Sequence, residues 1–500
     1  MFSYDLKFII SIIPEILLFL SIIILIVSSI FIVMGSKSYF ENKELMSNIR
    51  LLSFFVLFLY IYLLLNIDCN LNYFDYSLLT QKDIVKIVKI LLSLLTLWVI
   101  NQKIFFENVK SFFFEISIFF LTCLLSFSLM ISFDNMILIY IFIELQSLIF
   151  VILAALAKKL NAFGSSIQYF IISLISSCFL LLSISFLYGM FGTVNLNYIF
   201  IIVDLLSSNY NFGWDFYTVF SLIIISILIK MGSFPFFYWL PKVYDGSIMF
   251  VASYFSTIAF LAYFVFMFNF FMNSVYLYLN SIDIFFISCL GSVFFGSTGL
   301  LYQVKINRFM AYNSILNVGY ILSLILCIFS EDIIGIKTTI NSITSLYLIS
   351  YCIINVNLWS ILLSTSLGTR YKTAFTCIQE FFILKFYNKI LWILLIVSLC
   401  SMAGLPPFLG FVIKFFLICT VFKSGHILYC FFLTIFTLFS IVSYLIIIKI
   451  ITFDNIPNLD TTVYVVEFFS KLHIFIISLS SVLILFYFPF LDMVTHLIKY

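Results

Sequence analysis

Charge is what this 500-residue sequence has least of: Asp, Glu, Lys and Arg make up 9% of it. Soluble domains carry about a quarter charged residues, so the scarcity excludes a soluble enzyme or binding module. Hydrophobic residues supply 64%, in long runs separated by short polar pieces. That pattern describes one polytopic membrane unit with no candidate soluble domain. The ten cysteines include no CxxC pair; they read as buried thiols, with neither a disulfide frame nor a zinc or iron–sulfur site indicated. The three histidines, His426, His473 and His496, stand far apart in sequence, which argues against a metal centre. No cleavable signal is evident: the first apolar run, from Phe8 to Met34, is long enough to span and lacks a small-residue cleavage pattern, and a basic, acid-free transit peptide is missing too. There is no GxGxxG. GSVFFGST at Gly291 has the glycine spacing of a phosphate loop, but Ser297 stands where lysine is required, and the motif lies within a span. With no nucleotide, flavin or haem site, any redox chemistry is expected in another subunit.

What the sequence does contain is apolar runs, and they predict fourteen spans, at 8–34, 50–67, 86–100, 112–132, 136–157, 165–189, 216–235, 247–270, 281–302, 309–329, 338–364, 390–421, 427–451 and 470–489. Loops after odd-numbered spans carry Lys37, Lys43, Arg50, Lys103, Lys110, Lys158, Lys159, Lys242, Lys305, Arg308, Arg370, Lys372, Lys385 and Lys389. Those after even-numbered spans carry only Lys82, Lys86, Lys89, Lys337 and Lys423. Basic loops stay on the side of synthesis, so both termini are expected on the opposite side. The longer polar region Leu367–Lys389 holds Phe375, Ile378, Phe382 and Leu384 at spacings that suit one face of an interfacial helix. A second polar link runs from Thr452 to Phe468, with Asp454, Pro457, Asp460 and Glu467.

Three ionisable residues fall inside spans. Lys230 sits deep in the seventh run, five residues before Pro235, in KMGSFPFFYWLPKVYDG. An ammonium there costs at least ~2.5–3.5 kcal/mol on insertion scales, and Pro235 breaks the helix beside it. Glu144 lies near the centre of the fifth span, in IYIFIELQSLIF. Lys414 follows Gly404, Pro406, Pro407 and Gly410 in a run too long for one straight helix, so two half-helices are expected there, with Lys414 on the second. A desolvated lysine and a carboxylate whose charge reaches it suit proton handling, because each biases the other's protonation. The bland alternative is a paired charge kept for packing alone.

With these residues in place, the chain resembles the antiporter-like membrane subunits of the proton-pumping NADH:ubiquinone oxidoreductase, respiratory complex I, and among them the subunit-2 type. The likeness runs from about residue 110 to 425, in FDNMILIYIFIELQSL, KMGSFPFFYWLPKVYDG, INRFMAYNSILNVGY and SMAGLPPFLGFVIKF. The resemblance implies an all-α polytopic fold with two inverted five-helix repeats and broken helices seven and twelve. It implies an N-terminal three-helix segment at 1–110, repeats at 111–270 and 271–452, and a polar link with the last helix at 453–500. It casts Glu144, Lys230 and Lys414 as proton-translocating groups, supported by Pro235, Pro406, Pro407, Tyr254, Ser256, Thr257 and Lys305. NADH, FMN, iron–sulfur clusters and ubiquinone would belong to partner subunits, with no cofactor or metal in this chain. Expected partners are other complex I membrane subunits, especially antiporter-like subunit 4 and the small membrane subunits, and lipids, with cardiolipin a candidate; nucleic acid is not expected. The setting would be the mitochondrial inner membrane or a bacterial plasma membrane. Four positions depart from the family's usual residues: Phe237 for His, Lys242 for Asp, Phe260 for a lysine of helix eight that bridges the two half-channels, and Asn317 for His. Waters held by Tyr254, Ser256, Thr257 or Tyr263 would have to carry the proton past Phe260. The competing readings are a stand-alone cation/proton antiporter and a structural membrane subunit that has lost pumping.

Overall fold

A computed structural model of the chain describes residues 2–35, 43–66, 81–100, 113–157, 160–207, 214–272, 282–328, 334–368, 373–374, 377–453, 464–467 and 471–485. Lys37, Lys103, Lys110, Lys158, Lys159, Arg370, Lys372, Phe375, Asp454, Pro457, Asp460 and His496 lie outside the described residues.

Three helices come first, α1 (Phe2–Gly35), α2 (Lys43–Asn66) and α3 (Gln81–Ile100). Then follow α4 (Phe113–Ser132), α5 (Met136–Ala155), α6 (Leu160–Phe191), a short α7 (Leu196–Ser207) and α8 (Trp214–Met231). Beyond a break come α9 (Trp239–Gly246) and α10 (Met249–Tyr254), which passes through a π-helical turn (Phe255–Ala259) into α11 (Phe260–Met272). The rest is α12 (Ile282–Leu301), α13 (Ile306–Ile328), α14 (Ile334–Ser364), α15 (Leu384–Tyr387), α16 (Lys389–Ala403), α17 (Leu409–Lys423), α18 (Ile427–Phe453) and α19 (Lys471–Leu485). Nine described helices are long and apolar enough to cross a membrane. Shorter apolar helices at Leu51–Asn66, Tyr217–Met231, Lys389–Ala403 and Ile474–Leu485 fill the second, seventh, twelfth and fourteenth expected places, and α3 fills the third.

Both expected breaks are present, and both close in the same way. Helix α8 stops where Gly232 takes φ 68°, and α16 stops where Gly404 takes φ 81°, a left-handed conformation that side chains disfavour. The Gly232 N–H donates to the Ile229 carbonyl and the Ser233 N–H to that of Leu228; at the second break Gly404 donates to Ser401 and Leu405 to Cys400. This crossed pair of bonds satisfies two of the carbonyls orphaned at a helix end. Pro235 and Pro407, each three residues past its glycine, lie in the tight turns that lead into α9 and α17, where a proline's missing N–H costs no helical bond.

The centre of the molecule is α10–α11 and α13. The window Met249–Phe271 is 100% buried and Ile306–Ile328 94%, against 33% for α18. Phe260, Tyr254, Tyr263, Asn313 and Asn317 are therefore interior groups rather than lipid-facing ones. Three strands, β1 (Thr365–Gly368), β2 (Thr373–Ala374) and β3 (Tyr464–Glu467), form a small antiparallel sheet in the order β2-β1-β3.

Three expectations need correcting. Leu367–Lys389 is not one interfacial helix: it holds the end of β1, then β2, a 3-10 turn at Ile378–Ile383 and the single turn α15. Its apolar residues Ile378, Phe381 and Leu384 are buried against the bundle, so the apolar face found a protein partner before it needed a lipid one. Lys89 is not a loop cation, because α3 begins at Gln81 and buries Lys89 in an ion pair with Glu15 of α1. The cysteines are not uniformly buried, since Cys178 is exposed on α6.

Candidate functional site

Glu144 projects from α5, whose start is fixed by Asn135: its side chain accepts from the Ile137 N–H at 3.0 Å. Ile137, Ile141, Leu145, Leu148 and Ile152 leave one side of this helix exposed, while Ile139, Ile143, Gln146, Ile149 and Phe150 are buried. Glu144 stands between the two, half-buried. One carboxylate oxygen lies 3.4 Å from the Ser147 hydroxyl; the other is buried without a hydrogen-bond partner. Its charge acts on Lys230, Tyr169 and Tyr263.

Lys230 is on the last turn of α8, 7% exposed, and its ammonium has no hydrogen-bond partner. It lines a cavity of about 30 Å³ shared with Tyr169, Tyr244, Phe260, Tyr263 and Ser314. One water needs only ~10–15 Å³ and two or more polar partners, so the cavity has room for a water, with Lys230, Ser314 and the tyrosines as the polar groups on a mostly apolar wall. No direct ion pair joins Glu144 and Lys230 among the described residues. At an effective dielectric of 20, opposite charges still attract by about 2 kcal/mol at 8 Å, enough to bias which group is charged.

Lys414 reaches the second break from the other side. Its ammonium donates to the carbonyls of Met402 at 2.6 Å and Ala403 at 3.2 Å. These are the two carbonyls that the crossed closure of α16 leaves open, so the cation sits on the negative end of that half-helix. It also lies 5.5 Å from the centre of the Tyr320 ring, a favourable place for a cation. Beyond Met402 runs a buried polar network. The Asn313 amide contacts the Met402 sulfur at 3.8 Å. Asn317 donates to the Asn313 carbonyl at 2.7 Å and to its side-chain oxygen at 2.9 Å. Tyr444 donates to that same side-chain oxygen at 2.6 Å, and Tyr347 donates to the Asn317 side chain at 2.7 Å.

The supporting residues are distributed differently from the sequence reading. Pro235, Pro406 and Pro407 lie in the breaks. Tyr254 points its hydroxyl at the Phe120 carbonyl, 3.4 Å away, and the Ser256 and Thr257 hydroxyls both donate to the Ser253 carbonyl. Those three hydroxyls are engaged by backbone; only Tyr263 lines the cavity, where it accepts from Gln146. Lys305 lies away from the cavity lining, on the surface, where it and Arg308 pair with Asp245 at 3.0 and 2.7 Å. The sequence reading missed Asn313, Tyr347, Tyr351 and Tyr444, although buried Asn and Tyr within apolar runs are the kind of signal that should have drawn notice.

A family described as NADH:quinone oxidoreductase/Mrp antiporter, TM, matches residues 134–440, which include all three deep charges and, apart from Tyr444, the buried polar network beyond Met402. NADH-quinone oxidoreductase subunit N of Pelagibacter ubique is 30% identical over 437 residues, covering 85% of this chain and 86% of the relative. NADH-ubiquinone oxidoreductase chain 2 of Rhizopus oryzae is 30% identical over 342 residues, covering 67% of this chain and 63% of that one. Among solved structures, a chain of respiratory complex I from Thermus thermophilus with bound aureothin superposes with a TM-score of 0.73 over 94% of this chain and 96% of its own, at 18% identity.

Proposed function

This chain belongs to the NADH:quinone oxidoreductase/Mrp antiporter family of membrane subunits, and from that premise we propose that it moves protons across the membrane as the subunit N or chain 2 component of NADH:quinone oxidoreductase. Its setting is the mitochondrial inner membrane or a bacterial plasma membrane, where relatives of both kinds occur. NADH, FMN, iron–sulfur clusters and quinone belong in this reading to partner subunits, and this chain supplies no redox centre. Neighbouring membrane subunits, an antiporter-like subunit 4 and small membrane subunits among them, together with lipid such as cardiolipin, would cover its exposed apolar helix faces. The two matched breaks support a division into repeats at 111–270 and 271–452.

Glu144, Lys230 and Lys414 take the proton-handling roles. The observation that carries this is the Lys230 ammonium, buried and unpartnered beside a water-sized cavity within the field of Glu144. A lysine kept for packing would have its donors satisfied, because breaking a buried pair costs several kcal/mol. Conversely, an unpartnered ammonium gains from a movable neighbour: losing or gaining a proton relieves the burial cost. The test uses the intact complex in sealed vesicles. Lys230→Met and Glu144→Gln are each expected to lower the protons moved per NADH oxidised, whereas the native ratio in both variants would leave only a structural role.

A further inference from the structure

The Lys230 cavity and the Lys414 network lie on either side of α13. Ser314 lines the cavity, and its chain neighbour Asn313 is tied to Met402. Between the two, on the α10–α11 side, stands Phe260, which has no group to carry a proton. Its ring lies against that of Tyr351 of α14, centroids 4.3 Å apart. The Tyr351 hydroxyl donates at 3.1 Å to the carbonyl of Ser256, in the π-helical turn that ends beside Phe260. Such turns re-aim backbone groups and often mark functional sites. One turn earlier on α14 is Tyr347, which bonds Asn317 and so joins the Lys414 network. One turn later is Asn355, beside the Tyr351 hydroxyl and with both amide atoms buried and unbonded. Tyr351 therefore has one acceptor engaged and a second close by, among groups that are all buried.

We propose that Tyr351 and Tyr347 carry the proton connection between the Lys230 and Lys414 environments, passing beside Phe260. The inference rests on the translocation reading above. The Tyr351 and Tyr347 hydroxyls rest on amide oxygens, the Ser256 carbonyl and the Asn317 side chain, so each hop begins with the O–H turning from that oxygen to a water; the phenol oxygen then accepts a proton from one neighbour while its own proton leaves to that water. The ring is neutral before and after, and no charge is stored. Asn313, Asn317 and Asn355 hold hydroxyls and water in line and are positioning residues. Asn355 lies within reach of the Tyr351 hydroxyl and offers its amide as a further acceptor and donor.

The test compares variants of the intact complex in sealed vesicles, reading protons moved per NADH oxidised. Tyr351→Phe removes one oxygen and keeps the stack on Phe260; the ratio should fall to that of Lys230→Met. Adding Phe260→Lys to Tyr351→Phe puts a proton carrier back at the same place and should raise the ratio again. A native ratio in Tyr351→Phe overturns the proposal, and with Lys230→Met still low it leaves the translocation reading intact. A fall that Phe260→Lys does not reverse also overturns it, since the hydroxyl would then be structural. If Tyr351→Phe fails to assemble, Tyr347→Phe carries the same expectation. If Phe260→Lys fails to assemble, Tyr351→His, which keeps a proton-carrying ring, replaces it and should hold the ratio near native.

Discussion

Lys230 and Lys414 occupy corresponding helix ends with opposite energetic consequences. Lys414 satisfies the Met402 and Ala403 carbonyls, each of which would otherwise cost about 1–3 kcal/mol to leave buried and unmade. Lys230 satisfies nothing within the protein. Its replacement by Met removes an unpaired buried cation, a change that is neutral or stabilising when volume is kept. Lys414→Met is therefore expected to lower the thermal midpoint of the isolated complex, and Lys230→Met to leave it unchanged or raise it, while both are expected to lower pumping. Equal shifts in a side-by-side thermal unfolding measurement would show that the carbonyl contacts of Lys414 contribute nothing. Under the proposed roles, function and stability would separate at one residue and coincide at the other. Sequence alone placed both lysines deep, but could not say which one closes a helix end.

At the level of helices, the breaks were legible because Gly and Pro act locally. The two breaks even share letters: Gly232-Ser-Phe-Pro235-Phe and Gly404-Leu-Pro-Pro407-Phe have the same Gly-x-x-Pro-Phe spacing. The lysine precedes the motif at the first break and follows it at the second. Lys89 was illegible for the opposite reason. Its meaning depends on Glu15, 74 positions away, and a hydropathy pattern sees only neighbours. The pair ties α1 to α3 inside the N-terminal three helices, near the Tyr60 hydroxyl of α2. Lys89→Met would leave the Glu15 carboxylate buried alone, at a cost of about 3–5 kcal/mol. The yield of assembled complex should therefore fall sharply. The double variant Glu15→Gln with Lys89→Met should recover most of it, because no charge is then stranded. If the double variant assembles no better than the single one, the pair is not what holds these helices.

Over the whole molecule, the sidedness read from loop charges meets an independent geometric check. Residues that pair across loops must lie on one side of the membrane. The bridge Asn135 to Asn195 joins the loops after the fourth and sixth spans. The bridge Lys305 to Cys377 joins those after the ninth and eleventh, and β1 pairs with β3 across those after the eleventh and thirteenth. Each pairing links loops of the same parity, so a missed or invented span between any two partners would have placed them some 30 Å apart across the hydrocarbon. The bonds fix which loops share a side; the lysines and arginines say which side it is. Leu160 and Tyr302 are exposed in odd-numbered loops at 90% and 82%, and Tyr198 is exposed at 60% after an even-numbered span. In sealed vesicles, an impermeant thiol reagent is expected to label Leu160→Cys and Tyr302→Cys from the side of synthesis and Tyr198→Cys from the opposite side, above the background set by the native cysteines. Labelling of all three from one face would break the alternation on which the fourteen-span arrangement depends. A clean reversal would keep the arrangement and discard only the charge rule that orients it.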